Sequence, residues 1–326
     1  MNNINNDNLV KPRCFNSIII DKQRGLLTKY SENIDKFLDE ISWYVNIPSS
    51  LQYMLPRIYN YSLNTTKPYI KMELYGYKTL HDIMLNQNLN INDWYNIFKQ
   101  IHFLLNEMSN FSYFDKDKIQ HSLYKMYITK TIERLISLEK NENFKKFFNN
   151  DLYLNNQKLY SINTIISLLK TKVKELLVDS FNDFFYIIHG DLCFPNILIE
   201  TKFNFLKIID PRGSFGDFKL FGDKRYELAK ILHSIDGSYD YIIEDLFDIE
   251  INGTNIKYEL FNNSKFLKKI FKKEFELSND DYNLIKLIES LLFLSMIPLH
   301  NDNIERQLAM FATGNLLFFE VINDRR

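Results

Sequence analysis

The chain has 326 residues, enough to bury a sizeable core in one large domain or two lobes. Its 40 basic and 41 acidic residues nearly cancel, so no overall field attracts nucleic acid or an anionic membrane. With only Cys14 and Cys193 it cannot build a disulfide framework or a four-cysteine zinc site, and the opening MNNINNDNLV lacks the basic start and apolar run of a signal peptide. The expectation is a soluble, cytoplasmic protein with no membrane partner; the most apolar stretch, around Leu287 to Leu299, is short and contains Glu289.

In chain order, Phe15 to Asp21 and Leu26 to Tyr30 read as strands across the polar turn Lys22 to Gly25, with Lys29 inside the second. Ser31 is the expected N-cap of a helix whose Ile34, Phe37, Leu38, Ile41 and Val45 recur at helical spacing. At about 100° per residue Glu40 falls on the border of that apolar face, while Asp35 and Asp39 point away or lie at its far edge. Leu55 to Tyr61 and Tyr69 to Leu74 read as further strands, and MELYGYKTL runs from a strand through Gly76 into a helix near Thr79. Ile91 to Met108, Leu123 to Leu138, Ser161 to Leu177, Tyr226 to Ile235 and Asp281 to Leu299 carry helical apolar recurrence. Asn141 to Lys158 is polar and charge-rich, and an exposed loop is expected there.

The most informative stretch, residues 189–210, reads HGDLCFPNILIETKFNFLKIID. Phe184 to Ile188, Ile197 to Ile199 and Leu206 to Ile209 are expected strands, with a polar turn near Thr201 to Asn204. Asp191 and Asn196 then share the connection between the first two strands, and Asp210 ends the third. Gly190 and Pro195 are suited to bending that connection tightly. Asp191 can take or orient the proton of an attacking hydroxyl, while Asn196 and Asp210 offer hard oxygen ligands to Mg²⁺. A lone HGD is a weak signal; HGD with the asparagine at this offset, a hairpin and a terminal aspartate is a specific one.

This stretch resembles the catalytic and metal loops of the protein-kinase-like fold, in the form found in the aminoglycoside phosphotransferase and choline kinase superfamily. The resemblance implies an α+β, two-lobed fold: a small β-rich nucleotide lobe over 1–74, a hinge at 75–78 and a larger, mostly helical catalytic and substrate lobe over 79–326. It implies ATP or GTP with Mg²⁺, and phosphoryl transfer to a hydroxyl of a small molecule. Carried over by position, Asp191 is the catalytic base, His189 supports its loop, Asn196 and Asp210 hold the metal, Lys29 contacts the nucleotide phosphates and Glu40 orients Lys29. Backbone groups from Glu73 to Tyr75 would meet the adenine edge. No GxGxxG loop precedes the lysine strand, so covering the phosphates falls to Arg13 through Ser17, with Asn16 and Ser17 as contacts.

After Asp210 the chain reads PRGSFGDFKLFGDKRYELAKILHS, with Asp217 in a turn and Asp223 capping a helix opened by Tyr226 and Glu227. Choline and ethanolamine kinases usually follow the metal aspartate with an aromatic and acidic run, from which Pro211 and Arg212 depart. Arg212, Asp217 and Glu227 are the candidate substrate residues. A guanidinium beside the metal disfavours a cationic acceptor and suits a neutral, carboxylate or phosphate-bearing one, unless Arg212 instead pairs with Asp217 or Glu227. Asp240, Glu244, Asp245, Asp248 and Glu250 could bind an amine or form a solvated helix face. Lys130 and Arg134, one helical turn apart, could reach an anionic substrate or be surface charges. The expected acceptor is a sugar or polyol, with surface polysaccharide synthesis as a setting, and choline, ethanolamine or an aminoglycoside second. A nucleotide-binding pseudokinase or scaffold is the alternative of another class. His81, His102, His121, His233 and His300 show no paired zinc spacing, and aromatics interleave with acids as much as bases, so no nucleic-acid platform is expected. The sequence leaves the oligomeric state open.

Overall fold

The structure, a computed structural model, describes residues 16–86, 89–200, 202, 205–262 and 266–324. The first part forms β1 (Asn16–Asp21), β2 (Leu26–Ser31), α1 (Ile34–Asn46), β3 (Ile58–Ser62) and β4 (Tyr69–Glu73). These strands make an antiparallel sheet in the order β1-β2-β4-β3, with Lys29 opposite Ile70 and Leu27 opposite Met72. Lys29 thus sits on the second described strand. The cap of α1 is Asn33, which makes no side-chain cap bond, and not Ser31, whose hydroxyl instead accepts the Asn33 N–H.

The second part continues through β5 (Lys78–Thr79), α2 (Leu80–Asn86), α3 (Ile91–Ser109), β6 (Ser112–Tyr113), α4 (Lys116–Leu123), α5 (Lys130–Ser137), α6 (Glu142–Asn149), β7 (Tyr153–Leu154), β8 (Gln157–Lys158) and α7 (Ile162–Leu168). It then enters β9 (Phe185–Ile187), β10 (Ile197–Glu200), β11 (Phe205–Ile208), β12 (Phe221–Gly222), α8 (Lys224–Ile235), α9 (Tyr239–Ile243), β13 (Phe247–Asn252), β14 (Asn255–Leu260), α10 (Leu267–Glu274), α11 (Asn279–Met296) and α12 (Ile304–Asp324). Two small sheets, β11-β10-β5 and β12-β9-β6, carry the HGD stretch, and a third has the order β13-β14-β7-β8. Helix α11 packs between α8 and α12. The architecture is α+β and two-lobed, a β-rich lobe beside a larger helical one.

Three segments differ from their sequence reading. The expected loop at Asn141 to Lys158 contains α6 and the β7–β8 hairpin, because Phe144, Phe147 and Phe148 fall on one helical face and bury there. Phe144 and Phe147 meet Phe311 of α12 at 5.8 and 5.2 Å between ring centroids. Asp248 and Glu250 lie on strand β13, where a helix face was expected, since Phe247, Ile249 and Ile251 alternate with period 2. The apolar stretch is longer than expected: Asn279–His300 is long and apolar enough to cross a membrane by length and composition, but 61% of its apolar window is buried inside this fold. Glu289 itself is fully buried and accepts the Gly237 N–H at 2.8 Å.

Candidate active site

Lys29 lies between two carboxylates. Its Nζ is 2.8 and 2.9 Å from the Glu40 oxygens and 2.9 Å from Asp210 Oδ1. The Lys29 and Glu40 side chains are only 6% and 11% exposed, whereas Asp210 is 50% exposed and opens the pair toward solvent. Burial pushes the Lys29 ammonium down, but Asp210 and Glu40 more than offset it and leave it above its ordinary value. A lysine so held is a fixed, buried positive charge behind the half-exposed Asp210.

Glu40 reaches Lys29 because α1 turns Phe37, Glu40, Ile41, Trp43 and Tyr44 inward together. The same face docks on the second lobe: Trp43 Nε1 donates to Ile188 O at 2.7 Å, and the Asp210 N–H donates to Tyr44 Oη at 3.0 Å. Gly213, at φ +75°, lets the chain beyond Asp210 press on this helix; a Cβ there would stand 2.3 Å from the Asp39 carbonyl.

The HGD loop is braced from below. Both oxygens of buried Glu227 accept loop backbone N–H groups, His189 at 2.9 Å and Gly190 at 2.7 Å. Burial pushes the Glu227 carboxyl up to about 7, the two N–H donors opposing it. His189 Nδ1 accepts from the Asp191 N–H and Nε2 lies 2.9 Å from Ile209 O, an arrangement that fixes a neutral ring protonated at Nε2. Burial holds this imidazole down at about 4. His189 therefore supports the loop and is not a proton carrier near neutral pH.

Asp191 emerges from this brace with Oδ1 2.7 Å from Lys230 Nζ and accepts the Asn196 side-chain amide at its backbone O (2.8 Å) and at Oδ2 (3.3 Å). Asn196 and Asp210 are brought together by the β10–β11 hairpin, in which the Ile209 N–H donates to Asn196 O at 3.0 Å. Asp210 takes up φ +57°, a left-handed backbone that costs about 1–3 kcal/mol in a non-glycine residue. Such strain is held here by Tyr44 and Lys29.

The remaining expected residues divide. Asn16 and Ser17 belong to β1 and pair with Ser31 and Tyr30, so they are strand residues and not a loop; Arg13 to Phe15 fall outside the described residues. The Glu73 N–H donates to Arg57 O and the Leu74 N–H to Gly25 O, which commits two of the three amides expected to meet adenine, while Tyr75 Oη donates to Glu73 Oε2. Glu227 cannot touch a substrate, since it is 1% exposed and engaged on the loop backbone. Asp217 is exposed and pairs with Lys125 at 2.6 Å and His121 at 3.4 Å. Arg212 pairs with neither acid. Its Nε donates to Ser214 O at 3.0 Å, and its Nη1 lies 3.5 Å from Tyr226 Oη. Four of the five clustered acids are engaged elsewhere, Asp240 and Glu244 with His81, Asp245 with Arg306 and Glu250 with Lys257, and Asp248 is exposed on β13.

No protein-family model and no curated protein sequence matches the chain. Solved structures do. The streptomycin–ATP–APH(2″)-IIa ternary complex aligns over 96% of this chain and 91% of that one, with a TM-score of 0.56 at 13% identity. Plasmodium vivax ethanolamine kinase aligns over 95% and 81%, with a TM-score of 0.53 at 10% identity, and the aminoglycoside phosphotransferase APH(4)-Ia over 94% and 91%, with 0.52 at 11%. The fold is that of the aminoglycoside phosphotransferases and ethanolamine kinase.

Within this aminoglycoside-phosphotransferase fold, the residues that could hold a metal are Asn196 and Asp210. The Asn196 NH₂ is committed to Asp191, leaving its carbonyl oxygen for a cation, and Asp210 places a half-exposed carboxylate beside it. That donor set fits Mg²⁺, which takes few protein oxygens and keeps water and phosphate ligands. Among the described residues no group of three His, Cys, Asp or Glu side chains gathers into a fuller cage. Sequence reasoning missed Trp43, Tyr44 and Lys230. The first two were findable, lying three and four positions after Glu40 on its helix face; Lys230 was one lysine among many on α8, and only the fold brings it to Asp191.

Proposed function

We propose that the chain is a Mg²⁺- and ATP-dependent kinase that phosphorylates a hydroxyl of a small molecule. The observation that carries this reading is the continuous set of contacts joining the paired Lys29 and Glu40, Asp210, Asn196 and a braced Asp191. In the reaction, Asp191 takes the proton of the acceptor hydroxyl as its oxygen bonds to the γ-phosphorus. The bond from that phosphorus to the β–γ bridging oxygen breaks, and ADP leaves. Lys29 would hold the nucleotide phosphates, with Glu40 fixing its position. Asn196 and Asp210 would hold Mg²⁺, which neutralises charge on the transferred group when bound. Lys230 would keep Asp191 ionised and aimed.

For the acceptor we infer a sugar or polyol framework over an amino alcohol or aminoglycoside. What supports this is the engagement of Asp240, Glu244, Asp245 and Glu250 with basic partners of the protein itself, together with the Arg212 guanidinium at Tyr226. A scaffold without turnover is the competing reading, and the complete set Lys29, Asp191, Asn196 and Asp210 speaks for the enzyme. Coupled measurement of ADP release with Mg²⁺ over a panel of small hydroxyl compounds tests it. Acceptor-dependent turnover is the expected result; nucleotide binding without turnover on any compound would leave the scaffold.

A further inference from the structure

Beside Asp191 three basic groups gather about one aromatic ring, and a fourth stands one helical turn away. Lys130 Nζ stands 5.6 Å from the Tyr226 ring centroid and Lys230 Nζ 6.0 Å from it, and Arg212 Nη1 is 3.5 Å from the Tyr226 hydroxyl. Arg134, one turn along α5 from Lys130, donates to a backbone carbonyl, Ser295 O, at 2.7 Å. Of the four only Lys230 has a carboxylate, Asp191. Among the described residues no acid forms an ion pair with Lys130, Arg134 or Arg212, and the acids that could have served Arg212 are engaged on Lys125 and on the loop backbone. Burial first, and then Arg212, Arg134 and Lys230, hold the Lys130 ammonium well below its ordinary range. Basic groups this close repel one another when charged, and with Asp191, among the described residues, as the one acid beside four of them the cluster is left with room for an anion supplied from outside.

Resting on the kinase reading above, we propose that the cluster of Lys130, Arg134, Arg212 and Lys230 at Tyr226 receives an anionic group carried by the acceptor, a phosphate or a carboxylate. The acceptor is then a hydroxyl compound whose anion docks on this cluster while its hydroxyl faces Asp191. Guanidinium groups match the flat, forked geometry of both anions, and the Tyr226 hydroxyl adds a neutral donor.

The test uses the full chain saturated with Mg²⁺ and a non-hydrolysable ATP analogue, so that the γ-phosphate position is filled. Glucose, glucosamine, gluconate and glucose 6-phosphate, one carbon framework with four charge states, are titrated by calorimetry. At least one anionic member is expected to bind 10-fold or more tighter than glucose and glucosamine, and which of the two does so tells carboxylate from phosphate. Arg212→Gln and Lys130→Met should each cut that preference at least fivefold; if the arginine variant fails to fold, as its Tm will show, the lysine variant carries the test. Anionic members binding no better than glucose, including no binding by any of the four, overturns the proposal, as does an anion preference untouched by the variants. Failure of the kinase reading shows separately, as absence of Mg²⁺-dependent binding of the analogue itself.

Discussion

Around Lys29 the protein supplies its own counter-charges: the ammonium sits within 2.9 Å of both Glu40 and Asp210, and α1 locks the arrangement through Trp43 and Tyr44. Around Tyr226, across Asp191, Arg212 and Arg134 donate to backbone carbonyls and Lys130 lies over the ring. The first region is closed electrostatically before any ligand arrives, apart from the half-exposed Asp210, and so it is pre-organised for a constant partner. The second is left open in charge. A nucleotide and its metal are common to all kinases, whereas the acceptor differs, so under the function proposed above the constant chemistry would fall on paired side chains and the variable recognition on unpaired ones.

Asp191 sits where the two regions meet, so replacing it should have the largest effect. In Asp191→Asn, steady-state turnover should drop roughly 10²–10⁴-fold, the usual worth of a positioned general base, while nucleotide affinity stays within about threefold. An active variant would remove Asp191 from the reaction. Next comes Lys29→Met, which takes away the ammonium held between buried Glu40 and the half-exposed Asp210. Stability should fall by roughly 3 kcal/mol, the cost of orphaning one member of a buried ion pair, and calorimetry should show nucleotide binding weakened at least tenfold. Unchanged nucleotide affinity would mean that the paired region serves packing alone.

A smaller effect is expected from the brace beneath the loop. Glu227→Gln replaces one accepting oxygen with an NH₂ that faces a backbone N–H, which should cost about 1–3 kcal/mol. The cost should depend on pH. The Glu227 carboxyl is raised from 4.5 to about 7 in the folded chain, so the stability it contributes is fully present below 4.5 and is lost as pH rises through about 7, a change on the order of 3 kcal/mol. Glutamine has no such dependence. Urea unfolding should therefore find the variant penalised more at pH 5 than at pH 8; equal penalties would show that Glu227 carries the same charge at both.

The paired region was largely legible in the sequence, and the open region only in pieces: Arg212 and the pair Lys130 and Arg134 were candidates for an anion, but Lys230 and the grouping of the four were not. Asp191, Asn196 and Asp210 are close along the chain, and the chemistry fixes their spacing; Glu40 could be chosen over Asp35 and Asp39 because helical periodicity turns it inward. Lys130 and Arg134 share α5, but Arg212 and Lys230 come from a loop and from α8, and nothing along the chain ties the three segments together until α11 packs against both α5 and α8. Composition also misled at 141–158, where asparagine and lysine outweighed the helical spacing of Phe144, Phe147 and Phe148. The expected partners of Arg212 were sequence neighbours, but Glu227 faces the loop from beneath, and Asp217 turns toward α4.

Asp217 offers the finest test of where the open region ends. It was a candidate substrate residue, and in the structure it is half exposed, bound to Lys125 and His121, with its N–H on Ser122 Oγ at 3.2 Å. Both basic partners are themselves more than half exposed, so solvent screens the pairing, and such surface pairs contribute about 0–1 kcal/mol. Asp217→Asn should shift Tm by no more than about 2–4 °C, by the usual scaling for a chain of this size, and leave KM for the acceptor within twofold. Should KM instead change tenfold, the acceptor reaches beyond Tyr226 to the surface of α4, and the cluster at Tyr226 would be the inner half of a longer site. An unchanged KM is what the proposed docking at Tyr226 requires, since Asp217 is then engaged with Lys125 and His121 alone.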